Sequence, residues 1–260
     1  MSYETIALRY EKDVAHLTLN RPEALNALNL EMGRELVDAF ERISSEDARC
    51  LLLTGRGRAF CAGGDLKAMA ASNQPDEFFG EPLEMIHRAI AALAAYPRIV
   101  IAAINGFASG AGMNLALACD LRIAGESARF NEAFVRIGAV PDCGGTYHLP
   151  RIVGWAKAAE LMLLGGMVEA REAERIGMVT RVVADDELES VATELAQTIA
   201  SGPTAAHERI KRLLQMSVTS TLDEQLEHEA MLQREIGQTE DFGEGVTAFL
   251  QKRPPNYRGR

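Results

Sequence analysis

The chain has 260 residues, of which 47% are hydrophobic and 25% are charged, a balance typical of a globular protein rather than a disordered or fibrous one. Its 27 basic and 37 acidic residues give a formal net charge of −10, which argues against general binding to nucleic acids or anionic membranes. The four cysteines form no C-x-x-C pair and the five histidines are scattered, so we expect reduced thiols in a cytoplasmic protein and no metal site.

Strands and helices alternate through the first two thirds of the chain. Apolar runs predict strands over residues 6–8, 14–19, 50–54, 99–104 and 121–124. Helical periodicity between them predicts helices over 29–44, 84–95 and 113–119, and a connection is expected over 75–82. Strands that are apolar on both faces are typical of parallel sheets covered on each side. The order therefore predicts an α/β fold with right-handed crossovers.

The last part of the chain is predicted to be helical. Strand patterns stop near residue 184, and helical patterns follow over 188–200, 204–216, 222–236 and 242–251. We divide the chain into an α/β core over 1–200 and a helical region over 201–260. Helical tails on α/β cores often make contacts between subunits, so we expect an oligomer.

Two glycine-containing loops follow buried strands. Residues 59–65 read Ala-Phe-Cys-Ala-Gly-Gly-Asp, and residues 105–112 read Asn-Gly-Phe-Ala-Ser-Gly-Ala-Gly. Glycine lets backbone N–H groups approach a ligand closely, although each loop alone is also an ordinary tight turn. The second loop lacks the dinucleotide-binding fingerprint, because Leu115 stands where a small residue is needed. Together, the two loops could aim two N–H groups at one oxygen, as in an oxyanion hole.

A third loop, over residues 140–146, contains Asp142. The sequence Pro-Asp-x-Gly is common in turns, so this aspartate could be structural. Its neighbours Val135, Ile137 and Val140 are apolar, and a carboxyl group among apolar residues has a raised pKa. A raised pKa is what a general base near neutral pH requires. Asp142 is therefore our candidate for the catalytic residue.

These loops, in this order and spacing, resemble those of the crotonase family of enoyl-CoA hydratases and isomerases. The resemblance covers nearly the whole chain and includes residues 19–28, 60–65, 105–106, 144–146 and 248–253. It implies a spiral of ββα units followed by a helical trimerisation region, assembled as a homotrimer or a dimer of trimers. It also implies an acyl-CoA thioester as substrate. Coenzyme A is then part of the substrate, and no separate cofactor is expected.

The resemblance assigns roles to individual residues. It implies an oxyanion hole formed by the backbone N–H groups of Gly64 and Ala111. Phe249 and Lys252 stand where members of the family often use residues of a neighbouring subunit. The complete set of positions implied to bind coenzyme A is Arg21, Ala24, Ala27, Ala62, Gly63, Asp65, Leu66, Lys67, Phe249 and Lys252.

The chain departs from the hydratases of this family at two positions. Their two water-binding glutamates match Asn114 and Phe134 here, and neither of these side chains can act as a base. Glu132 is two residues from the second position and is expected to point elsewhere. Asp142 remains, in a loop that is similar to the loop of family members from phenylacetate catabolism. Those members isomerise a ring epoxide of phenylacetyl-CoA and also move the double bond of 3-enoyl-CoA.

The expected activity is therefore that of an enoyl-CoA isomerase in which Asp142 moves the proton. Asn114, Phe134 and Val140 are expected to line the acyl pocket. Three alternatives stay open: an enoyl-CoA hydratase in which Asp142 or Glu132 activates water, a serine hydrolase that uses Ser109, and a relative that binds RNA. The last is disfavoured because the first long helix carries more acidic than basic residues.

Overall fold

The computed structural model describes residues 3–71 and 79–260. Within these ranges the strands are β1 (Ile6–Glu11), β2 (Val14–Leu19), β3 (Cys50–Gly55), β4 (Ala59–Cys61), β5 (Ile99–Ile104), β6 (Phe107–Ser109), β7 (Leu121–Gly125), β8 (Arg129–Asn131), β9 (Val168–Glu169) and β10 (Arg181–Val183). They form a six-stranded sheet in the order β1-β2-β3-β5-β7-β10 and a four-stranded sheet in the order β4-β6-β8-β9.

The helices are α1 (Leu30–Ser45), α2 (Leu66–Ala71), α3 (Glu81–Ala95), α4 (Ala111–Leu117), α5 (Gly145–Val153), α6 (Trp155–Leu164), α7 (Ala170–Arg175), α8 (Leu188–Ser201), α9 (Thr204–Ser217), α10 (Leu222–Ile236) and α11 (Glu240–Gln251). Helix α1 begins where the sequence predicts, because the side chain of Asn29 accepts a hydrogen bond from the N–H of Met32.

The two sheets arise from a repeated unit of two strands and a helix. In each of three successive units, the first strand (β3, β5 or β7) joins the large sheet and the second (β4, β6 or β8) joins the small sheet. The strands contributed in this way pair in parallel within both sheets. The chain therefore advances as a spiral, and each turn of the spiral adds one strand to each sheet.

The strand β3 is buried on both of its faces, as its continuous apolar sequence predicts. Leu51 and Leu53 belong to the main core, whereas Cys50 and Leu52 pack against α8 on the opposite face of the large sheet. Alternate residues of a strand point to opposite faces, which explains why both sets must be apolar. Helix α8 covers this face of the sheet.

Helix α9 is attached to the core by a partly buried ion pair. The ammonium group of Lys211 donates hydrogen bonds to Asp120 Oδ2 at 2.8 Å and to the carbonyl oxygen of Arg98 at 3.1 Å. Further along, the carboxylate of Asp241 on α11 accepts hydrogen bonds from the N–H groups of Arg258 and Gly259, which holds the end of the chain against this helix.

The predicted order of strands and helices is confirmed, but two segments expected to be loops contain short strands. Residues 105–112 contain β6 at Phe107–Ser109. Residues 55–64, expected to be a loop throughout, contain the short strand β4 at Ala59–Cys61. Three residues give no measurable periodicity, so this strand is recognised only by its pairing with β6. Most of the connection expected over 75–82 lies outside the described residues. No helix in the described part of the chain is long and apolar enough to cross a membrane.

Candidate active site

The site lies where three parallel strands of the small sheet end side by side. Strand β6 lies between β4 and β8, with Ser109 paired to Asn131 and Ala108 paired to Cys61. The segments that follow the three strands begin at Ala62, Gly110 and Glu132. Parallel strands bring such segments to one edge of a sheet, which is where α/β proteins commonly bind ligands. The sheet therefore gathers residues that are far apart in the sequence.

The two glycine loops pack directly against each other at this edge. A Cβ atom on Gly63, which has a φ of +96°, would lie 2.8 Å from the carbonyl oxygen of Ser109 and 3.6 Å from the nitrogen of Ala111. Only glycine allows this approach. The N–H groups of Gly64 and Ala111 donate to no oxygen atom of the described residues. Both donors are therefore free for a ligand, and the loop that carries one touches the loop that carries the other.

The turn that carries Asp142 is held by its main chain between α4 and α3. The carbonyl oxygen of Asp142 accepts a hydrogen bond of 2.8 Å from Asn114 Nδ2 on α4. On the other side, the N–H of Cys143 donates to Nε2 of His87 on α3 at 3.3 Å. Cys143 and Gly144 both have left-handed backbone conformations, with φ of +51° and +78°. A non-glycine residue in this region marks a constrained turn, and such turns are common at functional sites.

The carboxyl group of Asp142 is partly buried and incompletely bonded. Its Oδ1 atom has no hydrogen-bond partner among the described residues. Burial raises the pKa of Asp142, while a hydrogen bond with the Cys143 thiol and the charge of His87 act in the opposite direction. Burial likewise raises the pKa of the Cys143 thiol, so this cysteine stays neutral. The result is a carboxylate of increased basicity in a turn that is hydrogen-bonded to α4, the helix that begins at Ala111.

Glu132, which is expected to point elsewhere, is buried and interacts with Asn114 and Asp142. Its side chain is 0% exposed, and neither of its carboxyl oxygens has a hydrogen-bond partner among the described residues. Burial raises the pKa of Glu132 to about 8; the nearby amide of Asn114 lowers the pKa and the charge of Asp142 raises it. Glu132 directly follows β8, so its main chain lies at the edge where the site is built.

Donor atoms of His87, Asp142 and Cys143 lie within 4.8 Å of one another. The Nε2 atom of His87 already accepts a hydrogen bond from the N–H of Cys143. The Cys143 thiol interacts by a hydrogen bond with the carboxyl group of Asp142. We therefore interpret these three residues as an acid–base group linked by hydrogen bonds rather than as a set of metal ligands.

Comparisons with known proteins fit this geometry. Residues 9–260 match the family described as enoyl-CoA hydratase/isomerase. The chain belongs to this family. It is 45% identical to a probable enoyl-CoA hydratase of Rhodobacter capsulatus over the full length of both chains. It is 44% identical to the 1,2-epoxyphenylacetyl-CoA isomerase of Escherichia coli, with 99% of each chain covered.

The fold of the family is likewise present in solved structures. The crystal structure of an enoyl-CoA hydratase from Bacillus anthracis superposes with a TM-score of 0.94 at 37% identity, covering 99% of this chain and 100% of the other. The crotonase fold expected from the sequence is therefore confirmed. The protein is an enzyme of the enoyl-CoA hydratase/isomerase family, which acts on acyl-CoA thioesters.

In this family member, the residues expected to bind coenzyme A fall into two groups. Arg21 donates hydrogen bonds to Asp65 at 2.9 Å and to the carbonyl oxygen of Ala27 at 2.5 Å, which fastens the loop after β2 to the loop after β4. Arg21 is thus already paired, whereas Lys67 is exposed and has no ion-pair partner among the described residues. The remaining members of this group are Ala24, Ala62 and Gly63, which are partly or fully buried, and Leu66, which is exposed.

The second group lies at the end of α11. Phe249 is 83% exposed, and Lys252 is also exposed. No hydrogen bond or ion pair joins either side chain to the loops of the site within residues 3–71 and 79–260. In the isolated chain these two exposed residues therefore make no polar contact with the described residues of the loops that carry Arg21 and Lys67.

The three residues expected to line the acyl pocket differ in their surroundings. The ring of Phe134 lies over Gly110, where a Cβ atom would be 3.3 Å from the ring, and Asn114 is fully buried. Val140 has a side chain that is 81% exposed, so it does not enclose Asp142 in the isolated chain. Ser109 is buried, and no histidine hydrogen-bonds to it among the described residues, which removes support for a serine hydrolase.

Two residues of the site, His87 and Cys143, are not predicted from the sequence. The pattern around His87 indicates an ordinary helical residue, and Cys143 is expected only as a reduced thiol. His87 lies far from Asp142 in the sequence, and only the packing of α3 against the turn brings it into contact. The signal for Cys143 is its place beside Asp142 in a Pro-Asp-Cys-Gly-Gly turn.

Proposed function

We propose that this enzyme is an enoyl-CoA isomerase with Asp142 as its catalytic acid–base residue. The observation that carries the proposal is the environment of Asp142, a partly buried carboxyl group with an unpartnered oxygen, in a turn that is hydrogen-bonded to α4, the helix that begins at Ala111. Asn114 and Phe134 occupy the positions that match the two hydratase glutamates. The substrate we propose is a 3-enoyl-CoA, or a ring-epoxide CoA ester of the kind named for the Escherichia coli relative.

In the first step, the thioester oxygen accepts hydrogen bonds from the N–H groups of Gly64 and Ala111. The carboxylate of Asp142 then removes a proton from C2, and the electrons of the C–H bond move into a dienolate whose negative charge rests on the thioester oxygen. One donor of such an oxyanion hole contributes about 3–4 kcal/mol to the transition state. The raised pKa of Asp142 improves the match between this base and a weakly acidic carbon.

In the second step, the protonated carboxyl group of Asp142 returns its proton to C4. The double bond moves from C3–C4 to C2–C3, where it is conjugated with the thioester, and the carboxylate is regenerated. No other reactant is consumed. The ring of Phe134 beside Gly110 contributes an apolar wall, which disfavours the binding of a water molecule near the dienolate.

A hydratase is the second candidate, because one observation favours it. Glu132 lies close enough to Asp142 for their charges to interact, so the site contains two carboxyl groups. A pair of carboxyl groups can hold and activate a water molecule. Several relatives are named probable enoyl-CoA hydratases, including that of Rhodobacter capsulatus. Against this candidate, the side chain of Glu132 is fully buried rather than open to a substrate.

One paired assay tests the two candidates. The wild-type enzyme and Asp142→Asn are each incubated with 3-hexenoyl-CoA and with crotonyl-CoA. Conjugation of the double bond raises the ultraviolet absorbance of the thioester, whereas hydration lowers it. We expect a rise with 3-hexenoyl-CoA that falls by about 100-fold to 10,000-fold in Asp142→Asn, the range for loss of a general base.

The control is Asp47→Asn, the same change at an exposed carboxyl group outside the site. It should retain the wild-type rate, and both variants should bind a non-reacting acyl-CoA with wild-type affinity. A rapid fall in absorbance with crotonyl-CoA would establish the hydratase instead. Full isomerisation by Asp142→Asn would show that another residue moves the proton.

We also propose that the enzyme is a homotrimer or a dimer of trimers. The C-terminal helices expose large apolar side chains, including Leu214, Leu222, Phe242 and Phe249. Apolar side chains concentrated on one region of a surface are typical of subunit contacts. Light scattering after size exclusion should give three or six times the mass of the 28.3 kDa chain.

A further inference from the structure

The peptide group between Asp142 and Cys143 is bound by side chains at both of its polar atoms. Its carbonyl oxygen accepts a hydrogen bond of 2.8 Å from Asn114 Nδ2, and its N–H donates to His87 Nε2 at 3.3 Å. The carbonyl oxygen also accepts the N–H of Gly145 at 3.0 Å, which closes a turn over residues 142–145. The N–H has no other acceptor among the described residues. Only His87 therefore holds this end of the peptide.

These contacts hold the turn in a conformation that its sequence disfavours. Both central residues, Cys143 and Gly144, have a left-handed φ, as in a type I′ turn. Glycine adopts this conformation readily, whereas a residue with a Cβ atom does not. Rotation of the peptide between Asp142 and Cys143 changes the φ of Cys143 together with the ψ of Asp142. A free peptide would therefore allow Cys143 to return to a negative φ, and the direction of the Asp142 side chain relative to the turn would change.

His87 reaches the turn from a helix that is fixed on both sides of it. Ile86 and Ile90 of α3 are buried in the main core. Gly33 of α1 approaches α3 so closely that a Cβ atom there would lie 3.3 Å from the nitrogen of Ile86. Ile90, one turn further along α3, lies 3.9 Å from where a Cβ atom of Gly144 would be. The imidazole is thus presented to the turn by a packed element of the fold.

The contact with Cys143 determines which nitrogen of the imidazole carries the proton. A nitrogen that accepts a hydrogen bond has no proton of its own, so the ring is neutral with its proton on Nδ1. The side chain of His87 is exposed, and Nδ1 can donate to water. A ring nitrogen also lies within 4.8 Å of a carboxyl oxygen of Asp142, where a positive charge would lower the pKa of this acid. The neutral ring therefore holds the turn and preserves the basicity of Asp142.

We propose that His87 is a positioning residue of the isomerase: its neutral imidazole accepts the N–H of Cys143 and, together with Asn114, fixes the peptide that holds the carboxyl group of Asp142 in its catalytic position. This inference rests on the proposed function of Asp142. His87 acts through the main chain of the turn, and its role requires no contact with the reacting atoms of the substrate.

The experiment compares His87→Ala and His87→Gln with the wild type in the 3-hexenoyl-CoA assay. His87→Ala leaves the N–H of a buried residue without an acceptor, since Cys143 is 1% exposed. We expect kcat to fall by about 10-fold while KM stays unchanged, the size expected for one buried hydrogen bond. His87→Gln offers a neutral carbonyl oxygen at a similar reach and should recover most of the lost rate. His228→Ala, the same change on α10, is the control and should keep the wild-type kcat and KM.

A measurement independent of activity tests the position of the proton. Solid-state NMR of the enzyme labelled with ¹⁵N at its five histidines gives the signals of the His87 ring, which are those missing in His87→Gln. At alkaline pH, where histidines are neutral, the proton should be on Nδ1. It should stay there in Asp142→Asn, because the N–H of Cys143 belongs to the main chain. Thermal unfolding identifies any rate loss due to misfolding, and the NMR result does not depend on whether His87→Ala folds.

The outcomes separate this inference from the proposed function. A proton on Nε2, a wild-type kcat in His87→Ala, or a kcat in His87→Gln as low as that of a folded His87→Ala would each overturn the role of His87 and leave Asp142 as the catalytic residue. A wild-type enzyme that does not isomerise 3-hexenoyl-CoA would overturn the proposed function, even if the proton were on Nδ1.

Discussion

The two sides of the site are built from different chemical groups of the chain. On one side, the loops at Gly63 and Gly110 present backbone N–H groups, and their shape depends on glycine conformations and on strand ends. On the other side, Asn114, Glu132 and Asp142 present side chains, and their state depends on burial and on protonation. The first side is fixed by sterics. The second side can change with pH or with a single hydrogen bond.

Substitutions on the two sides should therefore act in different ways. Changes in the glycine loops should reduce the rate at every pH, since N–H groups do not titrate. Changes in the side-chain cluster should alter the pH profile as well as the rate. Substitutions on each side of the site and at its entrance test this difference in pH dependence.

Among these substitutions, the largest effect is expected for Gly63→Ala. The new Cβ atom would lie 2.8 Å from the carbonyl oxygen of Ser109, and the φ of +96° is unfavourable for alanine. The loops must separate, which removes the alignment of the Gly64 and Ala111 N–H groups. We expect kcat/KM to fall by about 100-fold to 1,000-fold, the effect of losing one oxyanion donor. The pH profile should keep its shape.

Gly166→Ala is the matched control for Gly63→Ala. A Cβ atom at Gly166 has no neighbour within 4 Å, so the same chemical change should leave kcat/KM close to that of the wild type. A Gly63→Ala enzyme with wild-type kcat/KM would show that the close packing of the two loops is not needed for catalysis.

A smaller effect is expected for Gly145→Ala, on the side-chain half of the site. A Cβ atom there would lie 2.6 Å from both Cγ and Oδ1 of Asn114 and would displace this amide from Asp142. We expect kcat to fall by about 10-fold, since one buried hydrogen bond is weakened. The pH dependence of kcat should change at the same time. A loss of rate with an unchanged pH profile would contradict the link between Asn114 and the titrating groups.

The same contrast explains which parts of the site can be predicted from the sequence. Glycine pairs after apolar runs are local signals, so the two N–H loops are recognisable from the residues alone. The direction of Glu132 is not a local property, because it depends on β8 lying beside β6 at one sheet edge. Only a strand prediction for residues 129–131 would place Glu132 at this edge. The contact of His87 with the turn at Cys143 depends on helix packing and has no signal in the sequence.

Folding stability should also report the charge of Glu132. The pKa of Glu132 is raised to about 8 in the folded protein, whereas the ordinary value is 4.5. Between these values the unfolded chain loses the proton and the folded protein keeps it, so the unfolded state binds fewer protons and stability falls as pH rises. The maximum slope is roughly 1 kcal/mol per pH unit. Below the ordinary pKa, both states are protonated, and stability no longer depends on pH through Glu132.

Chemical denaturation of the wild type and Glu132→Gln from pH 5 to pH 8 measures this effect. The free energy of unfolding of Glu132→Gln should decline less over this range, because glutamine does not titrate. Equal pH dependence of the two proteins would mean that Glu132 ionises in the folded state as it does in water.

The smallest effect is expected for Lys67→Met, at the entrance rather than at the reacting atoms. Lys67 is exposed and has no ion-pair partner within the described ranges, so its charge is available to a phosphate group of coenzyme A. An exposed ion pair contributes less than about 1 kcal/mol, so KM should rise by about 2-fold to 5-fold while kcat stays unchanged. Added salt should reduce the difference in KM between the two proteins, because it screens exposed charges. Arg181→Met, which removes a charge from an exposed position on β10, should leave KM unchanged. If both variants raised KM equally, the effect would come from net charge, and Lys67 would have no specific contact with the substrate.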